Sequence, residues 1–359
     1  MMEILAVLLV AILILLSFFN FLFARTIRKT NSRIHSSVAI LIPMRNEARN
    51  VEAVLSSALA QSEIDQLEVL ALDDSSTDQT GELIAGVRDA RLTSVHGGEL
   101  PSGWLGKNFA LHTLAKQTEA EYLVFLDADV RLEGKAVASS IALMNERGWD
   151  YISPYPRQIA TGLLAWIVQP LLQWSWFATL PLRLVENSRL TSTVVANGQF
   201  FIVKNFSYKK SGGHEAIKGE VLDDLELARA LRRSGSRGSV VDASALSSCE
   251  MYRSSKELIS GYSKSQWRAF GGTLGALLAI ALMFVSAIYP LLFLVNFELW
   301  AITAYVGLVF SRVMVALKTR SSILSALLHP IAIAIWIYLI FRSLLLKRMS
   351  RLDWRDRAI

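Results

Sequence analysis

The apolar residues of the 359-residue chain fall into two blocks with a more polar stretch between them. The first block, Ile4 to Ala24, is interrupted only by Ser17 and Asn20, and it has about the ~20 residues that cross ~30 Å of hydrocarbon. The second block fills most of 274–346 and predicts three further spans, at 274–295, 299–317 and 323–346. The pattern predicts a membrane protein with a polar middle.

Charges around the first block predict its orientation. Glu3 precedes the block and a basic cluster follows it, formed by Arg25, Arg28, Lys29 and Arg33. A cleaved signal peptide has the opposite arrangement, so we interpret the segment as a retained anchor. Because Lys and Arg accumulate on the cytoplasmic side, we expect an inner-membrane protein whose N-terminus lies outside and whose polar middle is cytoplasmic.

The C-terminal block leaves a conflict with the same rule. Four spans would return the tail to the outside, although the tail is basic, with Lys347, Arg348, Arg351, Arg355 and Arg357. Two interpretations stay open: one C-terminal segment is re-entrant, with a break at His329 and Pro330, or the tail departs from the rule. We therefore expect two to three spans over 271–346, followed by a basic tail at 347–359.

The polar middle alternates between two kinds of hydrophobic pattern. Short continuous apolar runs at 38–43, 67–72, 92–95 and 122–126 predict strands. Segments with helical spacing lie between and after them, at 46–60, 78–87, 111–116 and 135–146. Strands that alternate with helices predict an α/β fold with a mostly parallel sheet covered on both faces.

Polar residues follow three of these strands. Arg45, Asn46 and Glu47 follow the first, the stretch DDSSTD (73–78) follows the second, and Asp127 and Asp129 follow the fourth. In parallel sheets ligands bind outside the carboxyl ends of the strands, so we expect these side chains to share one crevice. Helix capping is an alternative explanation for a single cluster, for example for Ser76 or Asp78.

Capping does not explain the spacing of Asp127 and Asp129. Two carboxylates this close repel each other unless a cation lies between them. Oxygen ligands of this kind suit Mg²⁺ or Mn²⁺, which typically bind one or two carboxylates together with phosphate oxygens. The pair predicts a divalent metal and a phosphorylated substrate. Because the chain has no glycine-rich phosphate loop, Lys107 is a candidate for assisting the metal with the phosphates.

Composition narrows the classes of partner. The net charge is +6, the pI is about 9.4 and the mean hydropathy is +0.37. With basic residues at the membrane flanks, the charge is explained by anionic lipid headgroups, and no motif points to nucleic acid. The single cysteine, Cys249, excludes an internal disulfide and a multi-cysteine zinc site, so we expect it to be a packing residue.

Five motifs in order resemble the glycosyltransferase family 2 pattern. They are Pro43, Asn46 and Glu47; DDSSTDQT (73–80); GK (106–107); DAD (127–129); and LDDLELARALRRSG (222–235). The stretch LPSGWLGKNFAL (100–111) is similar to one in membrane-bound members associated with carotenoid and hopanoid glycosylation. The resemblance covers about 38–268. It implies a GT-A fold, which is a Rossmann-like nucleotide-diphospho-sugar transferase domain. We expect this domain at 36–270, after a membrane anchor and basic flank at 1–35.

The resemblance also implies roles for individual residues. Asp73 or Asp74 would hold the nucleoside, with Glu47 and Pro43 lining the base and ribose. Asp129 and Asp127 would carry the metal and the diphosphate. The late acidic pair would supply the catalytic base, for which we choose Asp224 over Asp223. Their position at the start of a predicted helix leaves N-terminal capping as the alternative.

Three further features are left open by the sequence. The QxxRW motif of processive polysaccharide synthases is replaced by Gln266, Trp267 and Arg268, which argues for transfer of one sugar. Arg268 either reaches the diphosphate or only flanks the membrane. His214 either contacts phosphate or acceptor or is structural. We assign Arg131 to the surface.

The segment 163–184 has the length of another span and contains three tryptophans. If it crossed the membrane, Asp129 and Asp224 would lie on opposite sides and the site could not assemble. We interpret 160–185 as an interfacial element in the headgroup layer, with a buried insertion in the polar domain as the alternative.

These observations predict an inverting, metal-dependent, non-processive transfer of a sugar from a nucleotide-sugar donor to a carotenoid- or hopanoid-like membrane lipid at the cytoplasmic face. Two other enzyme classes stay possible, a polyprenyl-phosphate sugar synthase and a polysaccharide-synthesis glycosyltransferase. A non-enzymatic scaffold would predict that neither metal nor nucleotide binds.

Overall fold

Two compact units make up the computed structural model, which describes residues 1–349, 353–354 and 357–358. The α/β unit comprises Arg25–Arg157 and Leu184–Cys249. The helical unit comprises Met1–Ala24, Gln158–Arg183 and the chain from Glu250 onward. The boundaries differ from the domain expected at 36–270, because 158–183 and 250–270 belong to the helical unit. Of the basic tail, Arg351 and Arg355 lie outside the described residues.

Strands and helices alternate through the α/β unit, and helices dominate the rest of the chain. The strands are β1 (Ile34–Met44), β2 (Ile64–Asp73), β3 (Leu92–His96), β4 (Tyr122–Leu126), β5 (Val130–Leu132), β6 (Tyr151–Tyr155), β7 (Arg157–Gln158), β8 (Phe200–Lys204), β9 (Gly238–Asp242), β10 (Ser247–Cys249), β11 (Asp353–Trp354) and β12 (Arg357–Ala358). The helices are α1 (Met2–Phe23), α2 (Ala48–Leu59), α3 (Thr80–Gly86), α4 (Gly106–Ala115), α5 (Ala136–Arg147), α6 (Leu163–Val168), α7 (Pro170–Thr179), α8 (Leu182–Val185), α9 (Asn205–Lys210), α10 (Asp223–Arg233), α11 (Ser255–Ala269), α12 (Thr273–Met283), α13 (Leu291–Leu294), α14 (Leu299–Thr319) and α15 (His329–Arg348). Short 3₁₀ turns lie at Thr191–Thr193, Gly213–Ile217 and Leu324–Leu328, and a π-helical turn lies at Phe284–Ile288.

A seven-stranded sheet with the order β3-β2-β1-β4-β8-β6-β9 forms the centre of the α/β unit. Strands β3, β2, β1 and β4 are parallel to one another, β8 runs antiparallel to both β4 and β6, and β6 is parallel to β9. The other six strands of this sheet therefore run in one direction, opposite to β8. The α/β fold predicted from the alternating pattern is confirmed, with one antiparallel strand added in the middle of the sheet.

Both faces of the central strand β1 are buried, which explains its continuous apolar run. Ala39 and Leu41 face one layer, which contains residues of α4, α9 and α10. Ile40 and Ile42 alternate with them and are equally inaccessible to solvent. Strands covered on both sides lose the alternation of polar and apolar residues that half-exposed strands show.

The predicted element positions are close to the observed ones. The strand predicted at 122–126 is β4 to the residue. Strand β1 begins four residues before the predicted start, because Ser37 pairs with Gln66 of β2 although it is polar. The helix predicted at 111–116 begins earlier, at Gly106.

In the helical unit, four helices are long and apolar enough to cross a membrane. They are Met2–Phe23, Thr273–Leu294, Leu299–Thr319 and Leu324–Arg348. This assignment rests on length and composition, and it agrees with the spans predicted from the hydrophobic blocks.

The segment expected at the membrane interface, 160–185, contains α6, α7 and α8. Its residues up to Arg183 belong to the helical unit, and its position at the interface stays a prediction. The carbonyl oxygens of Phe177 and Leu180 accept hydrogen bonds from Asn20 Nδ2 at 2.7 and 2.6 Å, and Trp174 Nε1 donates to Ser311 Oγ at 2.8 Å. Side chains of α1 and α14 therefore satisfy polar groups on α7 that lipid could not.

Candidate active site

The loop after β4 holds the two aspartates of the DAD motif in a tight turn. Asp127 N–H donates to the carbonyl of Gln199 at 2.9 Å, and Val130 N–H donates to the carbonyl of Asp127 at 3.1 Å. Arg131 Nη1 donates to the carbonyls of Ala128 and Val130 at 2.7 and 2.8 Å. Arg131, which we assigned to the surface, is half-buried, and its guanidinium satisfies carbonyl groups of the aspartate loop.

Lys107 lies between two of the predicted acidic residues. It is the second residue of α4, and its ammonium nitrogen is 2.9 Å from Asp127 Oδ1 and 3.3 Å from Asp223 Oδ2. Burial disfavours the charged amine, but the charges of Asp127 and Asp223 outweigh burial and raise the pKa of Lys107. The lysine therefore stays charged and joins the loop after β4 to the start of α10.

Asp129 has one carboxylate oxygen that finds no partner among the described residues. This atom, Oδ1, is buried, while the thiol of Cys249 bonds to the same carboxyl group. Cys249 comes within reach because β10 pairs with β5, placing it opposite Val130. Burial, reinforced by the charges of Asp127 and Glu47, raises the pKa of Asp129 to about 6. A cation bound at Oδ1 would relieve both the repulsion and the missing contact.

Asp224 is anchored at both carboxylate oxygens. Oδ2 accepts the N–H of Gly198 at 2.8 Å and Oδ1 accepts the N–H of Leu225 at 2.7 Å. Burial and the neighbouring charge of Asp223 raise the pKa of Asp224 to about 6. The residue that caps α10 is Leu222, so neither aspartate is the N-cap of the helix.

Gly198 allows this arrangement of Asp224. A Cβ atom at position 198 would lie 3.0 Å from Asp224 Cβ and 3.5 Å from its Cγ. Only a residue without a side chain lets the backbone N–H approach the carboxylate so closely.

The residues predicted to bind the nucleoside lie at the ends of β1 and β2. Pro43 pairs with Leu72 in register, and Met44 pairs with Asp73. Asp73 Oδ1 accepts the N–H of Ser76 at 3.2 Å, and the buried Asp74 donates its N–H to the carbonyl of Met44 at 2.8 Å. The two aspartates and Pro43 are therefore brought to adjacent strand ends.

Glu47 and Asp78 have local partners. Glu47 Oε2 accepts from Asn50 Nδ2 at 2.7 Å, and Asn50 in turn accepts from Arg131 at 2.8 Å. Asp78 accepts the N–H groups of Ala48 and Thr80 at 3.1 and 3.0 Å, which are the first residues of α2 and α3. The N-cap of α3 is Gln79, so Asp78 is not the N-cap itself but ties the starts of the two helices together.

The structural interpretation of His214 is supported by its contacts. His214 is buried, its Nδ1 is 2.9 Å from the hydroxyl of Tyr208, and its ring packs edge-on against Phe125 at 4.8 Å. Burial lowers the pKa of His214 to about 3, so the ring is neutral. These contacts hold the turn before α10 against the sheet.

Arg268 belongs to the helical unit. It is the penultimate residue of α11, and its guanidinium lies 5.5 Å from the ring of Trp267. The neighbouring Gln266 accepts a hydrogen bond from Trp336 Nε1 at 2.8 Å. The donor-binding role of Arg268 stays a prediction.

Asn108 is a positioning residue that the sequence reasoning missed. Its Nδ2 donates to the carbonyls of Ile217, Lys218 and Glu220 at 3.0, 3.2 and 3.0 Å. Helix α4 thereby fixes the loop that leads into α10, which keeps Lys107 next to Asp223. The signal available in the sequence was a polar residue inside the first turn of a helix that otherwise packs on the core.

Comparison with known proteins agrees with this geometry. Residues 39–212 match the family model described as Glycosyl transferase family 2. A 4,4'-diaponeurosporenoate glycosyltransferase of Staphylococcus haemolyticus is 26% identical over 247 residues, which is 66% of this chain and 63% of that protein. The protein of the same name from Staphylococcus aureus strain MRSA252 is 23% identical over 72% of this chain and 68% of its own length. The chain thus spans slightly less than two thirds of the first of these relatives.

A solved structure shares the fold over nearly the whole chain. The mannosyltransferase from Pyrobaculum calidifontis, determined in complex with GDP-Man and Mn²⁺, superposes with a TM-score of 0.55 and covers 99% of this chain and 100% of its own. The sequence identity is 16%, so the likeness establishes a common fold.

Proposed function

Because residues 39–212 form a glycosyltransferase family 2 domain, we propose that the chain transfers a single sugar, with inversion, from a nucleotide-sugar donor to a membrane lipid. The observation that carries this proposal is the cluster in which Lys107 bridges Asp127 and Asp223, with Asp129 and Asp224 beside them. The cluster unites residues from three separate motifs at one edge of the sheet.

The aspartates fit a divalent cation. Asp129 offers a buried oxygen without a partner, and Asp127 lies two residues away. Among the described residues no group of three or more His, Cys, Asp or Glu side chains could hold a metal by itself. An incomplete protein ligand set suits Mg²⁺ or Mn²⁺, which take further oxygens from a substrate diphosphate and water. When bound, such an ion would stabilise the negative charge that develops on the departing nucleoside diphosphate.

Asp224 is the residue we assign as the general base. A carboxylate with a pKa of about 6 is largely ionised at neutral pH and is more basic than an ordinary aspartate. The two backbone N–H groups fix its orientation, so the carboxylate is ready to take the proton from an acceptor hydroxyl or to orient an ionised acceptor. A single base facing the anomeric carbon opposite the leaving group gives inversion in one displacement.

Lys107 and Asp223 position this machinery. The ammonium of Lys107 neutralises part of the charge that Asp127 and Asp223 bring together, which lets the carboxylates remain close before the donor arrives. Once the diphosphate is bound, Lys107 offers a cation for its oxygens. Pro43, Glu47, Asp73 and Asp74 form the proposed nucleoside site at the neighbouring strand ends.

A lipid acceptor is supported by the four candidate spans and by the names of the relatives. The donor of the solved neighbour is a nucleotide sugar, which supports the same class of donor here. The basic residues after α1 favour the cytoplasmic side, so we expect the N-terminus outside and the α/β unit in the cytoplasm. We expect a carotenoid- or hopanoid-like lipid, and a phosphate-linked product would instead identify a polyprenyl-phosphate sugar synthase.

The decisive experiment compares lipids from cells that express the wild-type chain, Asp224→Asn or no protein, by mass spectrometry. A glycosylated lipid that appears only with the wild type supports the proposal, and its mass gives the sugar. Purified Asp224→Asn should bind UDP- or GDP-sugar as the wild type does, whereas Asp129→Ala should lose the Mn²⁺-dependent part of binding. Normal turnover in Asp224→Asn would overturn the base assignment, and identical titrations with and without Mn²⁺ would overturn the metal site.

A further inference from the structure

Helices α1 and α14 of the helical unit run parallel. A Cβ at Gly307 would contact Ile14 and Val10, Ser311 Oγ lies 2.7 Å from Ser17 Oγ, and Lys318 Nζ donates to the carbonyl of Phe21 at 3.3 Å. From one contact to the next, the residue numbers of α1 and of α14 rise together. Helix α14 therefore ends at the same end of the unit as α1, which we name the Phe23 end.

The chain between α12 and α14 turns at the opposite end. The ring of Trp300, at the start of α14, stacks against Tyr289 and Phe293, which close the preceding apolar segment. That segment, Thr273–Leu294, is 22 residues long, so its two ends are about 30 Å apart at ~1.5 Å per residue. Thr273 therefore lies at the Phe23 end.

The last long segment leaves and returns at the Phe23 end. It follows Thr319, where α14 ends, and its other end is marked by Lys347, whose Nζ lies 3.4 Å from Thr273 Oγ1. Far from the Phe23 end, the carbonyl of Leu327 in this segment accepts a hydrogen bond from the hydroxyl of Tyr305 at 2.9 Å. Tyr305 precedes Thr319 by 14 residues, or roughly 20 Å of helix. The geometry is that of a re-entrant segment.

The tip of this segment meets a buried arginine. Arg312 is 2% exposed, its Nη1 is 3.5 Å from His329 Nδ1, and its Nη2 donates to Ser325 Oγ at 3.3 Å. Within the described part of the chain no Asp or Glu pairs with Arg312. A guanidinium at membrane depth without a counter-charge is costly, and such residues mark ligand or ion sites.

The two partners of Arg312 differ in what they offer a ligand, because the Ser325 hydroxyl already donates to the carbonyl of Ser322 at 2.9 Å, whereas Nε2 of His329 is buried and has no partner among the described residues. A guanidinium N–H can only donate, so an accepting Nδ1 on His329 puts the ring proton on Nε2, from which it can be donated to an anion. His329 is the first residue of α15 and directly follows the 3₁₀ turn at Leu324–Leu328. Trp174 of α7 packs edge-on against the His329 ring at 4.7 Å and covers the cluster.

We propose that Arg312 and His329 bind the anionic group, carboxylate or phosphate, of a membrane lipid at the tip of a re-entrant segment formed by 320–348. Ionisable side chains buried at membrane depth typically mark sites of this kind. This site lies within the helical unit and does not depend on the transfer reaction.

Lipid binding tests the anion site. The full chain in detergent is titrated with oleate, dioleoylphosphatidate and the neutral dioleoylglycerol, and retained lipid is read by native mass spectrometry. We expect one anionic lipid to bind at least about tenfold more tightly than the neutral one, and Arg312→Gln to lose that preference. Arg320→Gln, an exposed arginine just after α14, is the matched control and should keep it. A preference for oleate or for phosphatidate identifies the carboxylate or the phosphate as the natural group.

Equal affinity for all three lipids, or an unchanged preference in folded Arg312→Gln, would overturn the site. If Arg312→Gln does not fold, the wild-type chain alone still tests the proposal. An anionic lipid must then raise the thermal unfolding midpoint of the wild type above the value measured with dioleoylglycerol. No such rise refutes the proposal.

Cysteine labelling tests the re-entrant path independently. Phe297 and Met349 are exposed, and the only native cysteine, Cys249, is buried, so Phe297→Cys and Met349→Cys each add one accessible thiol. In spheroplasts an impermeant maleimide should label Phe297→Cys and spare Met349→Cys until the membrane is opened. Labelling of both from the outside would show that 324–348 crosses the membrane and would exclude the re-entrant path.

Discussion

The variant Gly198→Ala is a sharper test of how Asp224 is positioned than removal of the carboxylate. The added methyl group would lie 3.0 Å from Asp224 Cβ, whereas carbon atoms are comfortable at about 3.5–4.0 Å. The loop at 198 and the start of α10 must therefore give way by a few tenths of an ångström. That movement stretches the 2.8 Å bond from Gly198 N–H to Asp224 Oδ2.

The consequences for rate and pH follow from this displacement. A base moved by about 1 Å from its productive position costs on the order of 100-fold in rate, so for a shift of a few tenths of an ångström we expect kcat to fall by up to ~10-fold. Donor binding should change little, because the nucleoside site is formed by other strand ends. Loss of an N–H donor to the ionised carboxylate also raises its pKa, so the acid limb of the rate profile should move to higher pH. Overpacking should cost about 1–3 kcal/mol of stability.

Gly86→Ala is the matched control. Gly86 ends α3, and a Cβ there would meet nothing within 4 Å. This variant should keep wild-type kcat and should be as stable as the wild type or slightly more so. Nucleoside diphosphate release, measured with the donor identified by lipid analysis, gives kcat, and equilibrium titration gives donor affinity. Full activity in folded Gly198→Ala, or a parallel loss of donor binding, would refute the view that Gly198 positions the base.

Three further outcomes are expected. The rate should fall as the pH drops through about 6, because Asp224 has a pKa raised to that value and acts only when ionised, and a profile flat from pH 5 to 8 would contradict this. Lys107→Met should lower stability by ~2 kcal/mol or more and weaken donor binding, because it leaves Asp127 and Asp223 close together without a cation; denaturant unfolding and donor titration measure both, and unchanged values would argue against the bridge. Iodoacetamide should modify Cys249 only after unfolding, since burial keeps the thiol inaccessible and raises its pKa, and rapid alkylation of the native chain would refute that burial.

The ends of the central strands were predictable because charge and hydrophobicity change there within one residue. Strand β4 ends at Leu126 and is followed at once by Asp127, so pattern and structure agree to the residue. The same abrupt change occurs at the end of β2, whose last residue is Asp73. Because the carboxyl ends of parallel strands lie on the same side of the sheet, order along the chain already predicted that Glu47 and Asp129 would be near each other, and the charge of Glu47 does act on Asp129.

The supports of the acidic residues were not predictable in the same way. Cys249 bonds to Asp129 only because β10 pairs with β5, a pairing between strands of three residues each. Arg131 follows the aspartates in a pattern that a surface residue would share. Each contact depends on tertiary register, for which short strands carry almost no periodic signal.

Polar residues inside apolar segments proved more informative than the segments' length. The segment 163–184 has the composition of a span, an interfacial helix or a buried insertion, and hydropathy alone does not separate these cases. Hydrogen bonds add a second signal, because Asn20 in the otherwise apolar α1 satisfies the carbonyl groups at the end of α7, and Ser311 in α14 receives the N–H of Trp174. In hydrocarbon a polar side chain finds its partner on another helix. An isolated Asn or Ser in a predicted span therefore indicates a packed helical neighbour, and the same reasoning applied to Arg312, whose partners carry no negative charge, leads to a ligand from the membrane.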